Sequence, residues 1–175
     1  GAFDESMLAN LGKNALRPIV LSLSNPTSRS ETTPDIVTKV LGARALMAFG
    51  SPFPAVKLEN GTLLTPSQCN NLYIFPGMGL GAIVCQASRV TSRMFHAASV
   101  ALSNMVSTAD LQRGQLLPSL KNIRDVSQVV ALAVAKQARD DMIGMQVSDE
   151  RLQKLLHDAM WEPHYYPYRY HQSLE

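Results

Sequence analysis

Ile19-Val20-Leu21-Ser22-Leu23 running into Ser24-Asn25-Pro26-Thr27, then Pro34 to Val40, then Ala45-Leu46-Met47-Ala48-Phe49 closed by Gly50-Ser51-Pro52, is the stretch that decides the fold. The first run is short and apolar, and a turn cluster in which proline removes a backbone donor stops it, so it reads as a buried strand. Pro34 is placed to open a helix through Val40, and the second apolar run reads as another buried strand. Strand, turn, helix, strand implies a parallel pair and therefore an α/β sheet. Polar side chains just beyond a buried strand are typical ligand-facing positions in open α/β sheets, and Asn25 stands at one.

Upstream, Asp4 is placed to cap a helix whose Met7, Leu8 and Leu11 are spaced to face a core, ending before Arg17-Pro18. Downstream, residues 50 to 76 hold four of the ten prolines and the turn signal Asn60-Gly61, which predicts an ordered loop or short hairpin. The apolar stretch Leu72 to Phe75 is expected to be a third strand. From Gly77 the pattern turns helical. Thr91 or Ser92 caps a run with Phe95, Ala98, Leu102 and Met105 at helical spacing, and Ile123 to Ile143 forms a long helix rich in Ala and Val. Ser148 caps a third helix that carries Leu152, Leu155, Leu156, Ala159 and Met160 on one face. The expected fold class is α/β, a partial Rossmann-like parallel sheet covered by C-terminal helices. The tail from Trp161 to Tyr170 reads as extended, and Ser173-Leu174-Glu175 as vector-derived.

With 175 residues and 46% hydrophobic composition the chain is long enough to bury one core. Sixteen basic and 14 acidic residues leave a net charge of +2, which gives no electrostatic case for a nucleic-acid partner. No run approaches the roughly 18 apolar residues of a membrane span, and the start has no signal-peptide pattern. Two cysteines, Cys69 and Cys85, fit reduced thiols in a cytoplasmic protein without a disulfide framework.

Gly77-Met78-Gly79-Leu80-Gly81-Ala82 invites a dinucleotide reading, but Pro76 separates it from the preceding apolar run and no acidic residue stands about 20 positions on. A close-packed helix entry is the better reading. His96, His157, His164 and His171 form no metal pattern, and Arg113, Lys121 and Arg124 read as a solvated face. The aromatic tail around Tyr165, Tyr166, Tyr168 and Tyr170 reads as a docking tail. Asn25, Asn70 and Asn71 carry neutral amides that offer donors and acceptors to carboxylates and carboxamides, although turn chemistry alone would also place asparagine there. The residues by themselves stop at a ligand-binding piece of an α/β protein.

Arg17-Pro18-Ile19, Leu23-Ser24-Asn25-Pro26-Thr27, Gly50-Ser51-Pro52-Phe53, Asn70-Asn71, Phe75-Pro76-Gly77, Gly114-Gln115-Leu116-Leu117-Pro118 and Ile123-Arg124-Asp125-Val126-Ser127 together resemble malic enzymes, in the same order, over roughly residues 1 to 165. The resemblance implies that residues 1–165 are a C-terminal segment of the family's NAD-binding domain, with 166–175 as a tail. It implies an enzyme that oxidises L-malate with NAD, or with NADP, then decarboxylates oxaloacetate and protonates the enolate to pyruvate, using Mg²⁺ or Mn²⁺ as Lewis acid. Carried over by motif, Asn25, Asn70 and Asn71 would bind substrate, while Ser24, Asn25 and Asn71 would lie by the nicotinamide and its ribose. No catalytic residue and no metal ligand is assigned here. The family's lysine base, tyrosine acid, metal carboxylates and glycine-rich pyrophosphate turn fall upstream, so the partners expected are L-malate, the N-terminal part of the same protein and further copies in a homo-oligomer, and the chain alone is expected to be inactive. The ending Met160-Trp161-Glu162-Pro163 resembles NAD-linked bacterial chains. A malolactic enzyme releasing lactate, and a non-catalytic interaction module, are the alternatives. One position departs from the family, Ser67 before Gln68, where glycine is usual.

Overall fold

The computed structural model describes residues 1–168; Tyr170, His171 and Ser173-Leu174-Glu175 lie outside the described residues. Its sheet grows from the two expected strands. β1 (Ile19–Ser22) and β2 (Leu46–Phe49) are parallel, in register from Ile19 opposite Leu46 to Ser22 opposite Phe49. The crossover between them carries α2 (Pro34–Leu41), opened by proline in its first turn and capped by the Thr33 hydroxyl, which accepts from the Ile36 amide. All of β2 is buried, whereas β1 alternates, with Val20 and Ser22 inside and Ile19, Leu21 and Leu23 about half exposed.

α1 (Glu5–Asn14) is capped by Asp4, whose carboxylate accepts from the Met7 amide at 2.8 Å. Of its three expected core residues only Leu8 is buried, while Met7 and Leu11 are exposed. The contact stripe instead runs through Leu8 and Gly12, one turn apart, because the missing side chain at Gly12 admits Leu41 of α2. Leu8, Val20, Val37, Leu41, Met47 and Phe49 form the core on this side of the sheet.

The apolar run Leu72 to Phe75 is not a strand. Asn70 receives the Leu72 amide on its side-chain oxygen and starts a 3-10 turn over Asn71–Tyr73, and α3 (Phe75–Val84) begins at once with Pro76 in its first turn. Short apolar runs are helical or extended with equal ease, and here the cap decides. The third strand lies earlier and is polar: after the hairpin β3 (Val56–Lys57) and β4 (Leu63–Leu64), which turns at Asn60-Gly61, the pair β5 (Ser67–Gln68) joins β2 in parallel. The sheet order is β1-β2-β5. Ser67 is accommodated at its departure from the family pattern: its hydroxyl accepts from the Leu116 amide at 2.8 Å.

The helical layer follows as α4 (Ser92–Ser103), a short α5 (Thr108–Gln112) that sequence patterning did not show, α6 (Ile123–Asp140) and α7 (Asp149–Ala159). α6 ends three residues before Ile143. Its buried face is Val126, Ser127, Val130, Ala131, Val134, Ala135 and Ala138, small residues that let α3 lie close. α4 buries Met94, Ala98 and Leu102, so Phe95 points outward and Met105 falls beyond the helix end. α7 adds Leu152 and Leu156, fully buried, to the same cluster, with Leu155 and Met160 half-buried and Ala159 exposed. No regular element occurs over residues 161–168.

Candidate functional site

Because β1, β2 and β5 are parallel, their carboxyl ends share one edge of the sheet, and that edge carries Leu23 to Asn25, Gly50-Ser51 and Cys69 to Asn71. Adjacent strands lie roughly 4.8 Å apart, so the loops after β1 and β5 stand roughly 10 Å from one another. Backbone bonds continue the ladder into these loops: the Gly50 amide donates to the Ser22 carbonyl at 2.8 Å, and the Cys69 amide to Phe49 at 2.7 Å. A side chain at Gly50 would collide with the Leu23 carbonyl, so glycine is what allows the β1 and β2 loops to close on each other.

Asn25 is exposed at this edge, and its amide oxygen accepts from the buried Ser51 hydroxyl at 2.5 Å. One lone pair of that oxygen is thereby engaged, and the two Nδ2 hydrogens have no intramolecular acceptor among the described residues, so Asn25 is mainly a donor to a ligand. Asn70 is arranged alike: its oxygen accepts from the Leu72 amide at 2.9 Å, leaving its Nδ2 as the outward group. Beside Asn25, Ser24 is half-buried and donates both its hydroxyl, at 2.6 Å, and its backbone amide, at 3.2 Å, to the Glu31 carboxylate. Hydrogen bonds from Ser22 and Ser24 hold the Glu31 carboxyl down at about 2. Neither Glu31 nor the role of Ser51 is visible in the sequence, since their partners lie seven and 26 residues away and meet only once the sheet forms.

Asn70 and Asn71 open onto a groove of about 900 Å³ between the start of α3 and the start of α4, lined by Leu72, Phe75, Met78 and Phe95. Ser24 and Asn25 belong to the Ser51 and Glu31 network instead, so the four candidates form two pairs along one edge. The glycines of α3 serve packing. A Cβ at Gly77 would meet the Ser127 carbonyl and Val130, both at 2.7 Å, and one at Gly81 would meet the Ala131 carbonyl at 2.5 Å. Burial pushes the Cys69 thiol up, and burial with neighbouring Cys69 raises the Tyr73 hydroxyl, which donates to the Pro118 carbonyl at 2.6 Å as a strut. Among the described residues no group of three His, Cys, Asp or Glu is placed to hold a metal ion.

Residues 1–139 match the family model described as malic enzyme, NAD binding domain. The chain belongs to that family. The NAD-dependent malic enzyme of Pseudomonas savastanoi pv. phaseolicola is 43% identical over 169 residues, covering 97% of this chain and 30% of that protein. The NAD-dependent malic enzyme of Psychromonas ingrahamii is 44% identical with the same coverage. The chain therefore spans about 30% of the length of these curated relatives. Among solved structures, the malic enzyme of Entamoeba histolytica superposes with a TM-score of 0.71 at 20% identity, over 90% of this chain and 29% of that one. The Pyrococcus horikoshii malic enzyme gives 0.67 at 24% identity, over 90% of this chain and 32% of that one. These two support the α/β fold. No helix among its described residues is long and apolar enough to cross a membrane.

Proposed function

We propose that this chain supplies the malate- and nicotinamide-facing edge of an NAD-dependent malic enzyme, which converts L-malate to pyruvate by oxidative decarboxylation. The observation that carries the reading is that Asn25 and Asn70, both exposed at the carboxyl end of a parallel sheet, each have the amide oxygen hydrogen-bonded within the chain while the amide N–H groups have no intramolecular partner among the described residues. Such donors suit the carboxylate and hydroxyl oxygens of malate and the carboxamide oxygen of a nicotinamide. In this reading Asn25 and Asn70 bind malate, Asn71 binds beside them, and Ser24, Asn25 and Asn71 hold the nicotinamide and its ribose. When bound, NAD supplies the hydride acceptor. The amides contribute orientation rather than proton transfer.

Mg²⁺ or Mn²⁺, the general base and the general acid belong, in this proposal, to residues outside these 175, as do most of the contacts of a homo-oligomer. NAD rather than NADP is favoured by the relatives, which are named NAD-dependent. Two free cysteines, neither paired, agree with a cytoplasmic setting. The test is malate-dependent NADH formation with product identification. The full-length protein is expected to release pyruvate, and residues 1–175 alone are expected to form no NADH. Lactate as the product would make the parent a malolactic enzyme, and NADH formed by residues 1–175 alone would contradict the division of labour proposed here.

A further inference from the structure

Resting on that site, we infer that Glu31 is a positioning residue, whose carboxylate clamps the end of β1 to the turn after it and so sets where Asn25 stands. The Ser22 hydroxyl, fully buried, donates to Oε2 at 2.6 Å, and the Ser24 hydroxyl donates to Oε1 at 2.6 Å. The Ser24 amide adds a third bond to Oε2 at 3.2 Å, and Ser30 shares a hydrogen bond with Ser22 at 2.8 Å. Both carboxylate oxygens are thus used, across the seven residues that carry Asn25. The anchor is itself fixed, because the Glu31 carbonyl accepts from the Phe3 amide at 3.0 Å and α2 begins three residues later. On the opposite side the Leu23 carbonyl presses against Gly50, and Ser51 holds Asn25 directly. The segment 23–25 is therefore gripped from both flanks, by Glu31 on one and by the end of β2 on the other. Glutamine at position 31 keeps the shape and can still reach both serines, because the Ser24 hydroxyl accepts as well as donates, but it replaces charge-assisted bonds with weaker neutral ones, so the clamp loosens.

The clamp acts through Asn25, so the decisive measurement is a double-mutant cycle in the full-length protein, reading kcat/KM for malate, NAD affinity and melting temperature. Glu31→Gln is expected to fold and to lower kcat/KM about tenfold or more, the scale of a misplaced binding group. In an Asn25→Ala background assayed at saturating NAD the same change is expected to cost kcat/KM for malate less than about twofold, because the malate-binding group it positions is already gone, while any effect through Ser24 shows in NAD affinity. Ser22→Ala, which removes one donor and leaves the carboxylate, is expected to fall between the wild type and Glu31→Gln and to show the same loss of effect beside Asn25→Ala. If Glu31→Gln fails to fold, the Ser22→Ala cycle decides in its place. Wild-type kinetics in the readable variant, or losses that simply multiply with those of Asn25→Ala, overturn the positioning role while leaving the site in place. Wild-type kinetics in Asn25→Ala overturn the site itself, and the clamp with it.

Discussion

Glu31 accepts three hydrogen bonds in the folded chain and none of them survives unfolding, which ties local geometry to acid stability. Its carboxyl sits at about 2 when folded, against an ordinary value of 4.5. A depressed carboxylate favours the folded state at pH above its unfolded value, and that contribution disappears as pH falls through the folded one. The wild type is therefore expected to lose stability more steeply than Glu31→Gln between about pH 4.5 and pH 2, as read by urea midpoints at stepped pH. Asp4, Asp110, Asp149 and Glu150 are also held low by hydrogen bonds, so both proteins share a background slope and only the difference reports on Glu31. Parallel slopes in the two proteins would show that the Glu31 bonds do not form in solution.

Between elements, α3 lies directly against α6, and the three glycines of α3 do not contribute equally to that packing. Gly77 and Gly81 face the α6 backbone at separations with no room for a methyl group, whereas a Cβ at Gly79 would meet nothing within 4 Å. Gly77→Ala and Gly81→Ala are each expected to cost roughly 1–3 kcal/mol by overpacking. Gly79→Ala is expected to gain roughly 0.5–1 kcal/mol from helix propensity, and urea denaturation separates the two classes. Equal effects at all three positions would show that α3 and α6 do not pack this closely. The packing reading of these glycines was available from sequence because Pro76 and the missing acidic partner argued against a pyrophosphate turn. The neighbouring strand was not available: Leu72 to Phe75 is apolar enough for a strand, and only the Asn70 cap and the burial of Tyr73 against α6 make it helical. β5 escaped notice for the opposite reason, since Ser67-Gln68 carries no apolar signal and is a strand only by its bonds to β2.

Across the described residues, two long-range bonds tie the sheet half to the helical half, and a third, from Tyr73, braces the turn before α3 against the loop before α6. The Tyr73 hydroxyl donates to Pro118, the Leu116 amide donates to Ser67, and Arg17 donates to the Leu111 carbonyl at 2.7 Å. The bonds from Tyr73 and Leu116 fix the β5 end, with Asn70, against the loop before α6. The strand-end position of Asn25 was legible because turn chemistry after an apolar run marks the carboxyl end of a buried strand, whereas Asn70 was expected to precede a strand and its place after the polar β5 was not legible. The direction in which each amide points was not legible, because it depends on Ser51 and on the Leu72 amide.

That direction is the centre of the account, and Asn70→Asp tests it most directly. Aspartate keeps the oxygen that caps Leu72 and replaces the outward N–H donor with negative charge, so the fold is expected to persist while malate is repelled. Steady-state kinetics of the full-length Asn70→Asp protein are expected to show kcat/KM for malate lowered about 100-fold or more, equivalent to about 2.7 kcal/mol, with the melting temperature retained. Malate kinetics equal to those of the wild type would contradict the account, because the outward donor of Asn70 would then have no part in holding the substrate.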